Sequence, residues 1–84
     1  MEIMEEKSEI VTNWLDTNNF FNIQKSSDNQ FIKADGYKSR MVIAIQGDDE
    51  IDESQMLEFA ARNHRQAWVA EIKVKTSKIE WKTL

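Results

Sequence analysis

Met41-Val42-Ile43-Ala44-Ile45-Gln46 is the stretch from which the fold is read. Five consecutive apolar residues closed by a polar one leave no solvent-facing side, so the segment predicts a strand covered on both faces at the centre of a sheet. Asp35 stands eleven residues before Gln46, and the acidic run Asp48-Asp49-Glu50-Ile51-Asp52-Glu53 comes soon after it.

Upstream, Asp35-Gly36-Tyr37-Lys38-Ser39 reads as a turn whose Asp-Gly pair suits a positive φ. Residues 31–34 and 20–24 read as two short strands separated by a polar turn over 25–30. Residues 2–16 carry Ile3, Ile10, Val11, Trp14 and Leu15 at spacings that make one apolar stripe on a helix, with Glu5, Glu6 and Glu9 favouring its N-terminal half. Asp16-Thr17-Asn18-Asn19 ends that helix. Downstream of a loop over 47–50, Asp52 is placed to cap a helix over 53–63, with Gln55 at capping-box spacing and Met56, Leu57, Ala60 and Ala61 as its buried side. Asn63-His64-Arg65-Gln66 stops it. A strand over 67–74 and another over 79–84, joined at Thr76-Ser77, form a terminal hairpin with Trp68, Ala70, Ile72 and Val74 opposite Ile79 and Trp81. The fold class is therefore α/β in the order α-β-β-β-α-β-β, a mixed central sheet flanked by two helices. The expected core is Ile10, Val11, Trp14, Leu15, Phe21, Ile23, Val42, Ile43, Ile45, Leu57, Ala60, Val69 and Ile72.

Eighty-four residues fit one small domain over 1–84, and with no Cys its stability must come from a core containing three Trp, four Phe and one Tyr. No apolar run reaches membrane-spanning length and the first nine residues are acidic, so neither insertion nor export is expected, and a cytoplasmic location is. The net charge of −4 argues against general nucleic-acid coating, because nonspecific affinity needs phosphates neutralised by Lys and Arg. Basic residues are nonetheless grouped, Lys25, Lys33, Lys38 and Arg40 in the middle and Lys73, Lys75, Lys78 and Lys82 towards the end, which leaves room for a locally basic surface.

Helix, three strands, helix, strand is also the core order of the PD-(D/E)xK nuclease superfamily, and several segments resemble its restriction endonuclease-like and Holliday-junction-resolvase-like members. Trp14-Leu15 through Phe20-Phe21-Asn22-Ile23 is similar to their first helix and aromatic strand. The stretch from Asp35 to Gln46 resembles their Asp, a spacer, then (Glu or Gln)-x-Lys. Asp52-Glu53-Ser54-Gln55-Met56-Leu57, Ala60-Ala61-Arg62, Ala67-Trp68-Val69-Ala70-Glu71-Ile72-Lys73-Val74 and Ile79-Glu80-Trp81-Lys82 look like their second helix, following strand and closing segment. The resemblance implies a Mg²⁺ held by Asp35 and Gln46, since in such sites oxygen ligands bind a metal that stabilises charge on the attacked phosphate while a Lys activates water. It departs at the Lys, whose position falls on Asp48, and at Gln46, a neutral ligand. Lys33 or Lys38 is the candidate for a migrated lysine. The expectation is a nuclease-like domain that has lost catalysis and serves binding or assembly in a nucleic-acid context. Two other readings stand beside it: an active Mg²⁺-dependent DNA endonuclease, and an unrelated protein–protein interaction module. Partners are then DNA or a protein, including a second copy joined through the terminal hairpin edge.

Other chemistry-bearing residues read more plainly. Asp35 also suits a turn before Gly36. Glu71-Ile72-Lys73 spells Glu-x-Lys, but after the second helix, and is taken as a solvated strand face pairing with Glu80 and Lys82. The run 48–53 lacks the alternating ligands and central Gly of an EF-hand loop, so it is a solvated helix start. His64 reads as a helix cap rather than a base, and the three Trp as core rather than a base-stacking platform.

Overall fold

The computed structural model describes residues 3–27, 29–47 and 50–84. Its elements follow the expected order: α1 (Ile3–Thr17), β1 (Phe21–Lys25), β2 (Phe31–Asp35), β3 (Arg40–Ile45), α2 (Glu53–Arg62), β4 (Gln66–Lys73) and β5 (Lys78–Thr83). One sheet holds all five strands in the order β1-β2-β3-β4-β5. The first three form an antiparallel meander, β3 and β4 are parallel with α2 as the crossover between them, and β4 and β5 make an antiparallel hairpin. The apolar β3 is central, as its lack of a polar face requires.

Each sheet face receives one helix. Val11 and Leu15 of α1 pack with Ile32, Ala34, Met41, Ile43, Ile45, Ala70 and Ile72, while Met56 and Ala60 of α2 pack with Val42, Ala44 and Ala67 on the other side. Strand alternation produces this division, because odd-numbered β3 residues face α1 and even-numbered ones face α2. In α1 the buried stripe includes Ser8, fully enclosed, at the turn before Val11.

Several residues expected in the core are exposed instead, Phe21, Leu57 and Trp14 among them, together with Phe31, Tyr37 and Phe59 and with Ala61 on the expected buried side of α2. Phe21 lies on the edge strand β1, where it packs edge-on to Tyr37 at 6.3 Å. Leu57 is one residue round from Met56 and so falls on the flank of α2, and Trp14 lies at the margin of α1 against Trp81. Their places are taken by smaller residues of β2, β3 and β4, Ala34, Ala44, Ala67 and Ala70, which bring the helices close to the sheet.

Both helices close in the same way. Phe20 N–H donates to Leu15 O at 3.0 Å and Asn19 N–H to Asp16 O at 3.2 Å; Arg65 N–H donates to Ala60 O at 2.8 Å and His64 N–H to Ala61 O at 3.4 Å. These are Schellman closures, with Asn19 (φ 67°) and His64 (φ 54°) in the left-handed position. The expectation for Gly36 is overturned, since no glycine has a positive φ among the described residues. Gly36 is needed for space: a Cβ there would lie 2.9 Å from the Phe20 ring and 3.2 Å from Ser39 O. Asp52 caps α2 as expected, its Oδ1 accepting from Gln55 N–H at 3.0 Å.

Candidate functional site

Asp35, the principal candidate ligand, is held by three neighbours that the fold delivers separately. A bulge in β1 sets Asn22 and Ile23 against a single residue of β2 and turns Asn22 to φ 53°, which aims its amide at Asp35. The β2–β3 register sets Arg40 directly opposite Asp35. The Schellman closure of α2 then drops Arg65 beside the first residues of β3, because β4 begins alongside Met41.

Both oxygens of the Asp35 carboxylate are engaged by this arrangement. Asn22 Nδ2 donates to Oδ2 at 3.2 Å, while Arg65 Nη1 at 3.1 Å and Arg40 Nε at 3.4 Å both donate to Oδ1. Arg65 Nη1 also lies 3.1 Å from Met41 O and 3.4 Å from Ala34 O, and its side chain is only 9% exposed against 53% for Arg40. The hydrogen bond from Asn22 lowers the carboxyl pKa from its ordinary value; partial desolvation opposes this, and the Arg40 hydrogen bond and the charges of Arg65 and Arg40 add to the lowering. Chemically this is an anchored anion: it ties β1, β2, β3 and the entry to β4 together at one end of the sheet.

The remaining candidates are not brought to it. The metal reading needs Asp35 and Gln46 side by side, but Asp35 ends β2 beside the start of β3, while Gln46 follows the far end of β3. Arg40 is opposite Asp35, whereas Gln46 follows Ile45, whose N–H meets Gln30 O at 2.8 Å. Six residues of strand at about 3.3 Å each separate the two positions, roughly 20 Å. Antiparallel pairing causes this, because a strand returning from a short turn carries its far end away from the turn. Gln46 O instead accepts from Lys7 Nζ at 3.1 Å and its side-chain amide meets Gly47 O at 3.1 Å. Lys33 projects from the middle of β2 beside Val42, and Lys38 is exposed in the β2–β3 turn; given the distance between Asp35 and Gln46, neither ammonium can reach both. Asp48 lies outside the described residues.

These donors do not fit the Mg²⁺ implied by the resemblance. Asp35 has both oxygens engaged by nitrogen donors and its intended co-ligand is far away, and among the described residues no three His, Cys, Asp or Glu side chains gather. Arg65 was the residue missed in the sequence. It follows a helix stop like any surface arginine, and only the parallel register of β4 shows that its guanidinium enters the sheet end.

Two further features bear on binding. A groove of about 870 Å³ runs between α2 and the open β1–β2 part of the sheet, with Phe31, Met56 and Phe59 in it, Lys25 and Lys33 along the sheet, Glu50 and Asp52 in the segment leading into the helix and Glu58 on the helix. On the terminal hairpin, Glu71 pairs opposite Glu80, and Lys73 Nζ meets Glu80 at 3.2 Å, while Lys82 reaches Glu53 of α2 at 3.4 Å rather than an acid of the hairpin. His64 is an exposed cap residue, as expected. No helix among the described residues is long and apolar enough to cross a membrane. No protein-family model matches the sequence, and no curated protein matches it.

Proposed function

We propose that this chain is a binding and assembly domain with a nuclease-like order of elements and without hydrolytic chemistry, operating in the cytoplasm in a nucleic-acid context. The observation that carries the reading is the engagement of Asp35 by Arg65, Arg40 and Asn22. A carboxylate that neutralises a nearly buried guanidinium serves the fold, and withdrawing it for a metal would leave that charge unpaired. The groove beside α2 and the open hairpin edge supply surfaces for a partner.

Titration with Mg²⁺ or Mn²⁺ followed by amide NMR tests the reading, together with incubation of the domain with single- and double-stranded DNA. The expected result is no saturable shift at Asp35 or Gln46 and no cleavage. Metal-dependent cleavage that Asp35→Asn abolishes in a folded protein overturns the proposal.

A further inference from the structure

Backbone, side chains and charge on the outer edge of β5 all suit one kind of occupant. Leu84 N–H donates to Ala67 O at 3.0 Å, and Lys82 and Glu80 lie opposite Val69 and Glu71, so the even-numbered residues of β5 direct their N–H and C=O groups to β4. Those of Ile79, Trp81 and Thr83 therefore point to the free side, where the sheet has no further strand among the described residues. The edge is regular over its whole length and carries no proline or bulge.

We propose that β5 pairs antiparallel with β5 of a second copy of this chain, in the register that sets Trp81 opposite the partner's Trp81; this rests on the reading of the domain as a binding and assembly module. A two-fold axis normal to the sheet must pass beside a residue that faces its own copy, so few registers exist. Centring on Glu80 sets Glu80 against itself and Lys78 against Lys82, all like charges. Centring on Lys82 sets that lysine against itself, and centring on Ile79 runs the pairing into the 74–77 turn. Centring on Trp81 sets Glu80 opposite the partner's Lys82 twice, and Ile79 opposite the partner's Thr83 twice.

The same register relieves a strain within the chain. Glu71 and Glu80 are directly opposed acids, an unfavourable cross-strand pair, with Lys73 on one side of Glu80. The partner's Lys82 supplies a cation on the other side. The present bond of Lys82 to Glu53 joins two side chains that are 67% and 54% exposed, and such a pair is readily shared. On the opposite face, Trp81 already packs at a tilt against Trp14 at 4.8 Å and meets Trp68 edge-on at 6.1 Å, and the two-fold brings two such clusters together.

Sedimentation equilibrium of the whole chain over a range of concentrations tests the proposal, with near-UV circular dichroism confirming that each variant is folded. The wild type is expected to reach twice its 9.9 kDa mass. Glu80→Lys and Lys82→Glu are each expected to weaken the pairing about tenfold or more, because each replaces two cross-strand ion pairs with like charges, and the double exchange is expected to restore it. Thr83→Pro, which removes an N–H directed away from β4, is expected to give a folded monomer. A wild type that stays monomeric at millimolar concentration, or a dimer indifferent to the charge exchange, overturns the proposal. So does a monomer whose Ile79, Trp81 and Thr83 amides shift only on addition of a foreign extended peptide. A monomer that does not cleave DNA overturns self-pairing alone, whereas metal-dependent cleavage overturns the binding reading whatever the oligomeric state.

Discussion

Asp35 and Arg65 illustrate how a residue that suggests chemistry can be committed to structure. With its pKa lowered in the folded state, Asp35 contributes stability above the ordinary carboxylate range, and that contribution is lost as pH falls through the lowered value. Urea denaturation followed from pH 6 down to pH 2 is therefore expected to show a shallower loss of stability in Asp35→Asn than in the wild type, from a lower starting point. Arg65→Ala is expected to cost about 1–3 kcal/mol in the same assay at neutral pH, since it removes one charge-assisted bond and two bonds to carbonyls from a nearly enclosed position. Asp35 could be picked out in the sequence because it stands ahead of Gln46 at the spacing of the motif the chain resembles. Its partners could not, because Asn22 reaches it through a bulge and Arg65 through a parallel crossover, and neither has a local signature. Gln46 was misplaced for a related reason: counting residues between two side chains ignores the direction in which the second strand runs.

At the level of elements the chain is more readable, because period and punctuation act locally. The apolar run of β3 has no solvent side, so its central place follows, and the same argument makes Ile43 sensitive. Fully enclosed between β2 and β4 and packed under α1, Ile43→Ala is expected to cost about 3–4 kcal/mol by chemical denaturation. That is a large share of the roughly 4–12 kcal/mol a domain of this length possesses. Asp52 and the Asn-rich ends of the helices were likewise legible as caps. The left-handed residue that closes α2 is His64, although glycine adopts that conformation at lower cost. His64→Gly is expected to raise stability by about 0.5–1 kcal/mol in thermal or chemical denaturation. What periodicity could not separate was Leu57 from Met56 or Phe21 from Ile23, since a stripe drawn on one element does not say how far the facing layer extends.

Across the whole molecule, helices on opposite faces of a five-stranded sheet leave only its two edges for extending the hydrogen-bonded ladder. If β5 joins two copies, the melting temperature of the wild type is expected to rise with protein concentration while that of Thr83→Pro stays constant, which differential scanning calorimetry at several concentrations would show. The other edge behaves differently. The break in register between Phe21 and Gln24, with Asn22 in a left-handed conformation, interrupts the row of donors and acceptors that another strand would need. Growth of a sheet into a fibre requires each unit to accept a neighbour on both sides. A unit blunted on one side can take a single neighbour, after which nothing remains to propagate, so the β1 bulge would act as a chain terminator that limits edge-to-edge addition to pairs.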